Sequence, residues 1–303
     1  QKEFKKMNYV LMTTAIILSV VNACLLRAFS KQNDEGYSPF LFNTGVNLVW
    51  IIILSAVYIA NGAKYSSVSV AFGAVYGILL FAFLFFKTQS MATGPVSLST
   101  LIGSCAFVIA TGFGVIYCSE SINIFQIIGM ILLFISLFLC VSPKKGGEKI
   151  SAKWLLYCLG FFLSGGFVGI LYKLFGKSGA SSETDSMILT ASVVSTMLFF
   201  IFGMLENKGK HMPHITKTTL LFMLFSGMAS CLYIRLNVSL SNLIPSVIFF
   251  PVSNGGMVIL STIAGKLIFK EKLSRIQLTG IAIGCAAVVI TGCGEAIFTF
   301  LIK

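Results

Sequence analysis

A chain of 303 residues in which 56% are hydrophobic, 11% are charged and 28 are phenylalanine has too little polar material to cover a water-facing surface. That excludes a soluble globular domain and points to an integral membrane protein. The net charge of +12 would suggest nucleic acid in a soluble chain. Here the basic residues fall mainly in short connections, where they set topology and meet lipid headgroups, so membrane lipid is an expected partner and nucleic acid is not.

The apolar runs are about 20 residues long, the thickness of a bilayer core, and no short alternating segments of a spanning barrel occur. Ten spans are predicted, near 7–29, 39–60, 66–87, 93–118, 122–142, 152–175, 186–205, 217–238, 243–269 and 276–300. The first is too long for a secretory signal and has no small-residue cleavage site after it, so it is expected to be retained. It carries Asn22 and ends near Arg27. In the second, Asn43, Asn47 and Trp50 recur at steps of four and three and share one helix face, with Tyr58 further along. That face should look into the protein. Either the two Asn bond neighbouring helices, or they offer amides beside an aromatic wall to a solute.

The third span carries Tyr76 and ends at Lys87. The fourth and ninth hold Gly94-Pro-Val-Ser-Leu-Ser-Thr100 and Pro245-Ser-Val-Ile-Phe-Phe-Pro-Val-Ser-Asn-Gly-Gly256. Proline removes a backbone donor, so both helices are expected to bend or loosen near the midplane. Loosened backbone at that depth must be buried in protein or face a water-filled cavity. Ser97, Thr100, Ser253 and Asn254 are therefore the leading site candidates. Ser164 in the sixth span, with Asn22, Tyr76 and Tyr233 of the eighth, fits interhelical bonding better. Arg27, Lys87, Lys173, Arg235 and Lys266 sit near span ends, where snorkelling is expected; Arg235 is the cation kept as a candidate contact for an anionic or zwitterionic solute. Gly165 with Gly169, and Gly280 with Gly284, have the spacing of close helix contacts.

The markedly polar connector Ser142-Pro-Lys-Lys-Gly-Gly-Glu-Lys-Ile-Ser-Ala-Lys153 separates five spans from five. Across it the chain repeats: Gly114, Glu120, Gln126 and Gly129 return 151 residues later as Gly265, Glu271, Gln277 and Gly280, and Arg27-Ala-Phe-Ser-Lys31 resembles Lys173-Leu-Phe-Gly-Lys177. The fold class expected is all-α, ten transmembrane helices as two inverted five-helix repeats, residues 1–142 and 152–303 joined by 143–151. An odd number of spans per repeat turns the second copy over, the plan of carriers whose site lies between halves. Both termini then share one face. Eight Lys and Arg lie on that face and fourteen on the other, which by the positive-inside rule puts the termini outside; Lys2, Lys5 and Lys6 before the first span argue the reverse, and cytoplasmic termini are the expectation taken.

All ten acids (Glu3, Asp34, Glu35, Glu120, Glu148, Glu183, Asp185, Glu206, Glu271 and Glu295) lie outside the spans, at their ends or in the last turns of the final one. With no carboxylate at mid-membrane, exchange or facilitated passage is favoured over a carboxylate proton relay. Glu120 and Glu271 read as caps or interfacial anchors. The eight cysteines lie in or at the ends of apolar runs without CxxC spacing and read as packing residues. His211 and His214 beside Glu206 make a poor metal pattern. No nucleotide loop, nucleophile elbow or HExxH is present, so no catalytic residue, metal or cofactor is expected.

The runs Gly114-Val-Ile-Tyr-Cys-Ser-Glu120 with Gln126-Ile-Ile-Gly129, and Lys266-Leu-Ile-Phe-Lys-Glu271-Lys-Leu-Ser with Gln277-Leu-Thr-Gly280, carry a resemblance. The chain resembles the drug/metabolite transporter superfamily, in its ten-span EamA-like branch, whose pattern is an apolar run, a glutamate, a short turn and Gln-x-x-Gly opening the next helix. The first copy departs from the commonest form, with Cys-Ser before Glu120 and Ser-Ile-Asn after it. The resemblance implies spans one to four and six to nine around a central cavity, five and ten outside, cytoplasmic termini, and cargo among amino acids, sugars, nucleotide conjugates, quaternary amines or other metabolites.

The expected function is a secondary transporter in the cell (plasma) membrane, moving a small polar metabolite (amino-acid-like, nucleoside or sugar-like) by alternating access near Asn47, Trp50, Thr100 and Asn254, as a monomer or weak homodimer. A quaternary-amine or drug carrier would need an aromatic box, to which Trp50, Tyr76 and Tyr233 could contribute. The reading of another class is a membrane sensor or scaffold that binds a metabolite without moving it.

Overall fold

The computed structural model describes residues 2–32, 37–61, 64–94, 96–140, 151–207, 215–270 and 274–302, and the side chains of these other than 2–6, 31, 61, 96–98 and 295–302. Ser97, Glu271, His211, His214, Glu295 and most of the polar connector thus lie outside what is described in side-chain detail. Among the described residues every regular element is helical. The order is α1 (Lys2–Gln32), α2 (Pro39–Asn61), α3 (Ser67–Thr93), α4 (Val96–Ser104), α5 (Phe107–Tyr117), α6 (Ile124–Cys140), α7 (Ala152–Lys177), a 3₁₀ turn (Ser181–Glu183), α8 (Thr184–Glu206), α9 (Lys217–Leu243), α10 (Ser246–Phe269) and α11 (Arg275–Ile302).

Nine helical stretches among the described residues are long and apolar enough to cross a membrane. The protein is therefore an all-helical chain of membrane-spanning character. The remaining apolar helix among the described residues, α6, covers 17 of them, Ile124–Cys140. Faces follow the sequence pattern. On α2, Phe42, Val46, Asn47, Trp50 and Leu54 are buried while Leu48, Ile52 and Ile59 are exposed, so the stripe read from Asn43, Asn47 and Trp50 does face inward.

The two proline-bearing spans behave differently from each other and from expectation. The fourth breaks into α4 and α5 at Cys105-Ala106, ten residues past Pro95. Cys105 N–H reaches both Leu101 O (3.1 Å) and Ile102 O (3.2 Å), Ala106 N–H reaches Gly103 O (3.2 Å), and Val108 N–H reaches Cys105 O (3.1 Å), a short stretch of i→i−3 bonding that tightens the backbone. The ninth does not break: α10 runs from Ser246 to Phe269 through Pro251. Pro245 precedes the first helical residue, where its missing N–H costs nothing, and Ile248 and Phe249 donate to its carbonyl at 3.0 and 2.9 Å.

The chain forms two compact units, each drawn from both sequence halves: residues 1–8, 82–173 and 240–303 in one, residues 9–81 and 174–239 in the other. In the first unit α6 lies along α11, and the repeat at offset 151 is visible in local geometry. Cys118 N–H and Glu120 N–H both return to Gly114 O, with Ser119 left-handed at φ 53°. Lys270, 151 residues on, is left-handed at φ 54° and its N–H returns to Gly265 O. Each Gln closes a capping box: Asn123 N–H to Gln126 Oε1 (3.0 Å) with Gln126 N–H to Asn123 Oδ1 (2.9 Å), and Ser274 N–H to Gln277 Oε1 (2.9 Å) with Gln277 N–H to Ser274 Oγ (3.2 Å). The two paired glycines repeat as well. A Cβ on Gly129 would meet Thr291 and Ala287 of α11, and one on Gly280 would meet Leu139 and Cys140 of α6.

In the second unit, α3 and α8 approach through Gly73 and Gly77. A Cβ there would stand 2.6 Å from Met187 O and 2.7 Å from Ala191 O, so the two backbones approach with no room for a side chain between them. Carboxylates at span ends also tie this unit together. Glu183 accepts from Ser66 N–H (3.0 Å) and Ser66 Oγ just ahead of α3, and Glu206 at the end of α8 accepts from Ser38 Oγ just ahead of α2. Each acid serves a helix start in the other sequence half.

Candidate functional site

Several of the polar residues singled out from sequence are engaged between helices, and others bond within their own helix. In the second unit Asn47 donates from Nδ2 to Ser195 Oγ of α8 at 2.7 Å, Trp50 donates from Nε1 to Ser230 Oγ of α9 at 2.8 Å, and Asn22 Oδ1 accepts from Ser226 Oγ. Each pairs a residue of the first half with a serine of the second. Ser195 and Ser230 in turn donate to Ala191 O (2.7 Å) and Ser226 O, so their lone pairs are free to accept. Asn47 is 3% exposed and Trp50 4%, and both act as bonds between helices here. Asn43 is half-buried and donates within its own helix to Pro39 O at 2.8 Å. Tyr76 is wholly buried on α3 and Tyr233 is half-buried on α9.

Arg235, the cation kept as a candidate contact, is held by Asp185 at the start of α8. Its Nε donates to Oδ1 at 2.6 Å and its Nη2 to Oδ2 at 2.8 Å, a two-pronged pair with the arginine side chain 46% exposed. Reading Arg235 as a snorkelling cation missed that partner, although an acid two positions into α8 was legible in the sequence.

The first unit holds the remaining candidates. Ser164 is buried and donates to Phe161 O (3.1 Å) in its own helix. Thr100 is half-buried, and its carbonyl accepts from Ser104 Oγ at 2.8 Å, one residue before the break in the fourth span. Asn254 donates to Phe250 O at 2.9 Å. Ser253 differs from all of these. Among the described residues, the buried side-chain oxygens without a hydrogen-bond partner are Ser253 Oγ on α10 and Thr111 Oγ1 on α5. Both helices belong to this unit and pack against each other. Gly114 abuts Ser246, and Ala110 and Phe250 both close on Gly169 of α7, which sets α5 and α10 antiparallel and brings Ser253 level with the break at Cys105-Ala106. A buried hydroxyl without a partner costs about 1–3 kcal/mol, and a polar group entering from outside would recover it. Thr111 lacked any sequence signal; a hydroxyl in an apolar run is ordinarily bonded to the turn before it.

A charged cluster at the end of the same seam was not foreseen either. Lys173 donates from Nζ to Glu120 Oε1 at 2.9 Å and to Ile244 O at 3.2 Å. Glu120 also accepts from Ser246 N–H, the first helical residue of α10, and from Ser246 Oγ at 3.2 Å. The two charged side chains are 6% and 17% exposed. Glu120 thus is a cap, as its place in the repeat suggested, but of α10 rather than of the helix that follows it. Among the described residues no group of His, Cys, Asp and Glu could hold a metal ion.

No family model matches the chain. An uncharacterized protein of Haemophilus influenzae is 27% identical over 170 residues, which is 56% of this chain and 57% of that protein. A solved crystal structure, described only as that of a protein, superposes with a TM-score of 0.77 over 98% of this chain and 99% of its own, at 14% identity. At that identity the likeness speaks for the fold alone: nearly the whole chain has an arrangement already seen by crystallography.

Proposed function

We propose that the protein is a secondary transporter that carries a small polar metabolite across the cell membrane by alternating access. The observation that carries this reading is the pairing, in one seam, of an interrupted apolar span with two buried hydroxyls, Thr111 and Ser253, that find no partner within the described residues. Irregular backbone at membrane depth is stable where it is enclosed by protein or lines a cavity, and orphan hydroxyls there suit a solute rich in hydrogen-bonding groups: an amino acid, nucleoside or sugar. Asn254 adds an amide one residue from Ser253.

In this reading α6 is the fifth span and brings the total to ten, and the two halves, 1–142 and 152–303, are inverted repeats. The left-handed residues at 119 and 270 and the twin capping boxes support the repeat, and the resemblance to the drug/metabolite transporter superfamily supports the ten-span plan with cytoplasmic termini. Acids at span ends that are already bonded, as Glu120, Glu183 and Glu206 are, favour exchange or facilitated passage over proton relay. Trp50 and Tyr76, at 4% and 0% exposure, offer little ring surface to an aromatic box, which leaves a quaternary-amine cargo with less support.

A thermal-shift screen over amino acids, nucleosides, sugars and amines identifies the ligand, since a binder raises apparent stability by mass action. Proteoliposomes loaded with that ligand should show counterflow, abolished by Asn254→Leu. Saturable binding with no flux under any gradient would reject transport and assign the protein to the class of membrane sensors.

A further inference from the structure

We propose that Glu120 and Lys173 form a releasable clamp on the first turn of α10, and that its release opens the α5–α10 seam at Thr111 to water. The pair joins three segments of the first unit. Glu120 stands on the turn after α5, folded back by the left-handed Ser119; Lys173 belongs to α7; Ser246 and Ile244 are the first turn of α10 and the link before it. Below this cluster the two helices meet closely but without interlocking side chains: Gly114 lies directly on Ser246 and has no side chain of its own to hold it. Thr111 is one helical turn further in, buried to 4% exposure.

The physics of a buried ion pair makes such a clamp two-state. Desolvation offsets most of the attraction, so the intact pair adds little net stability, while a lone buried charge is strongly disfavoured. Once water reaches this end of the seam, both charges regain hydration together and the pair can part without stranding either. Closed with both paired, or open with both hydrated, are the favoured states, and the intermediate with one charge left dry is suppressed. The pair acts by positioning α10, which carries Ser253 and Asn254. This inference rests on the carrier reading for its purpose, but its test needs no solute.

The test uses the full chain in nanodiscs with Thr111→Cys as reporter. The substitution removes no hydrogen bond, because Thr111 Oγ1 makes none. Modification by a small, charged methanethiosulfonate is followed by peptide-resolved mass spectrometry, which separates position 111 from the eight native thiols. Cys158 on α7, fully buried in the same unit, reports general loosening. The expected result is that E120Q/K173M, which leaves no stranded charge, raises the modification rate at position 111 about tenfold, equivalent to ~1.4 kcal/mol, with Cys158 unchanged. E120Q alone, isosteric but leaving Lys173 without its counter-charge, should act in the same direction if the double variant folds poorly. An unchanged rate at position 111, or a parallel rise at Cys158, overturns the clamp. A protein that carries nothing can still pass this test, and a transporter can still fail it.

Discussion

The bond from Asn47 to Ser195 decides between the two roles that an amide in the second span could have. Ser195 Oγ already donates its proton to Ala191 O at 2.7 Å, so toward Asn47 it serves as acceptor at 2.7 Å. Ser195→Ala therefore strands a buried amide N–H, at a cost of about 1–3 kcal/mol, whereas Asn47→Ala leaves the serine donor satisfied and removes only the bond and some packing. The interaction itself, isolated by a double-mutant cycle, should be about 0.6 kcal/mol and no more than about 1.7, the range found for polar contacts between membrane helices. Reversible unfolding of the four proteins in bicelles measures it. A coupling under about 0.3 kcal/mol, within the ordinary error of additivity, together with loss of ligand binding in Asn47→Ala, would refute the interhelical role and return Asn47 to the solute.

Two further substitutions test packing and the orphan hydroxyl. Gly77→Leu should prevent close approach of α3 and α8, because the new Cβ would meet Ala191 O at 2.7 Å and a backbone carbonyl cannot swing aside; a loss of at least ~1–3 kcal/mol in unfolding is expected, while Gly112→Ala, with open space around it, should be tolerated. Thr111→Val removes an unsatisfied hydroxyl and should raise the stability of the ligand-free protein by up to about 1–3 kcal/mol while weakening binding of the solute found in the screen; a fall in stability would mean that the hydroxyl has a partner.

The helical, membrane-spanning character of the chain and the inward face of α2 were legible because long apolar runs and a step of three or four residues leave few alternatives in a bilayer. The local repeat was equally legible: spacing alone matched Gly114 to Gly265 and Gln126 to Gln277, and the shared turn geometry is the reason those residue types recur. The break in the fourth span was expected from Pro95 yet lies at Cys105-Ala106, where no proline or side-chain signal marks it. In the ninth span Pro245 starts a helix and Pro251 is carried within one, so the backbone stays helical there. Arg235, Lys173 and Glu120 were read as anchors at the interface because a one-dimensional pattern shows that a charge is near a span end but not which charge stands opposite. Ser195, Ser226 and Ser230 escaped notice for a similar reason: a serine in an apolar run becomes informative only when the amide or indole across from it is known.

The acids that close helix starts across the two halves impose an order on biogenesis. Ser66 waits for a glutamate 117 residues downstream and Ser38 for one 168 residues downstream. At translation rates of about 5–20 residues per second, the entrances of α2 and α3 stay without their carboxylates for roughly 6–34 seconds after they emerge. During that interval water, lipid headgroups or the insertion machinery must satisfy those serines, so the first half enters the bilayer as an unfinished partner and acquires its final contacts only as the second is made.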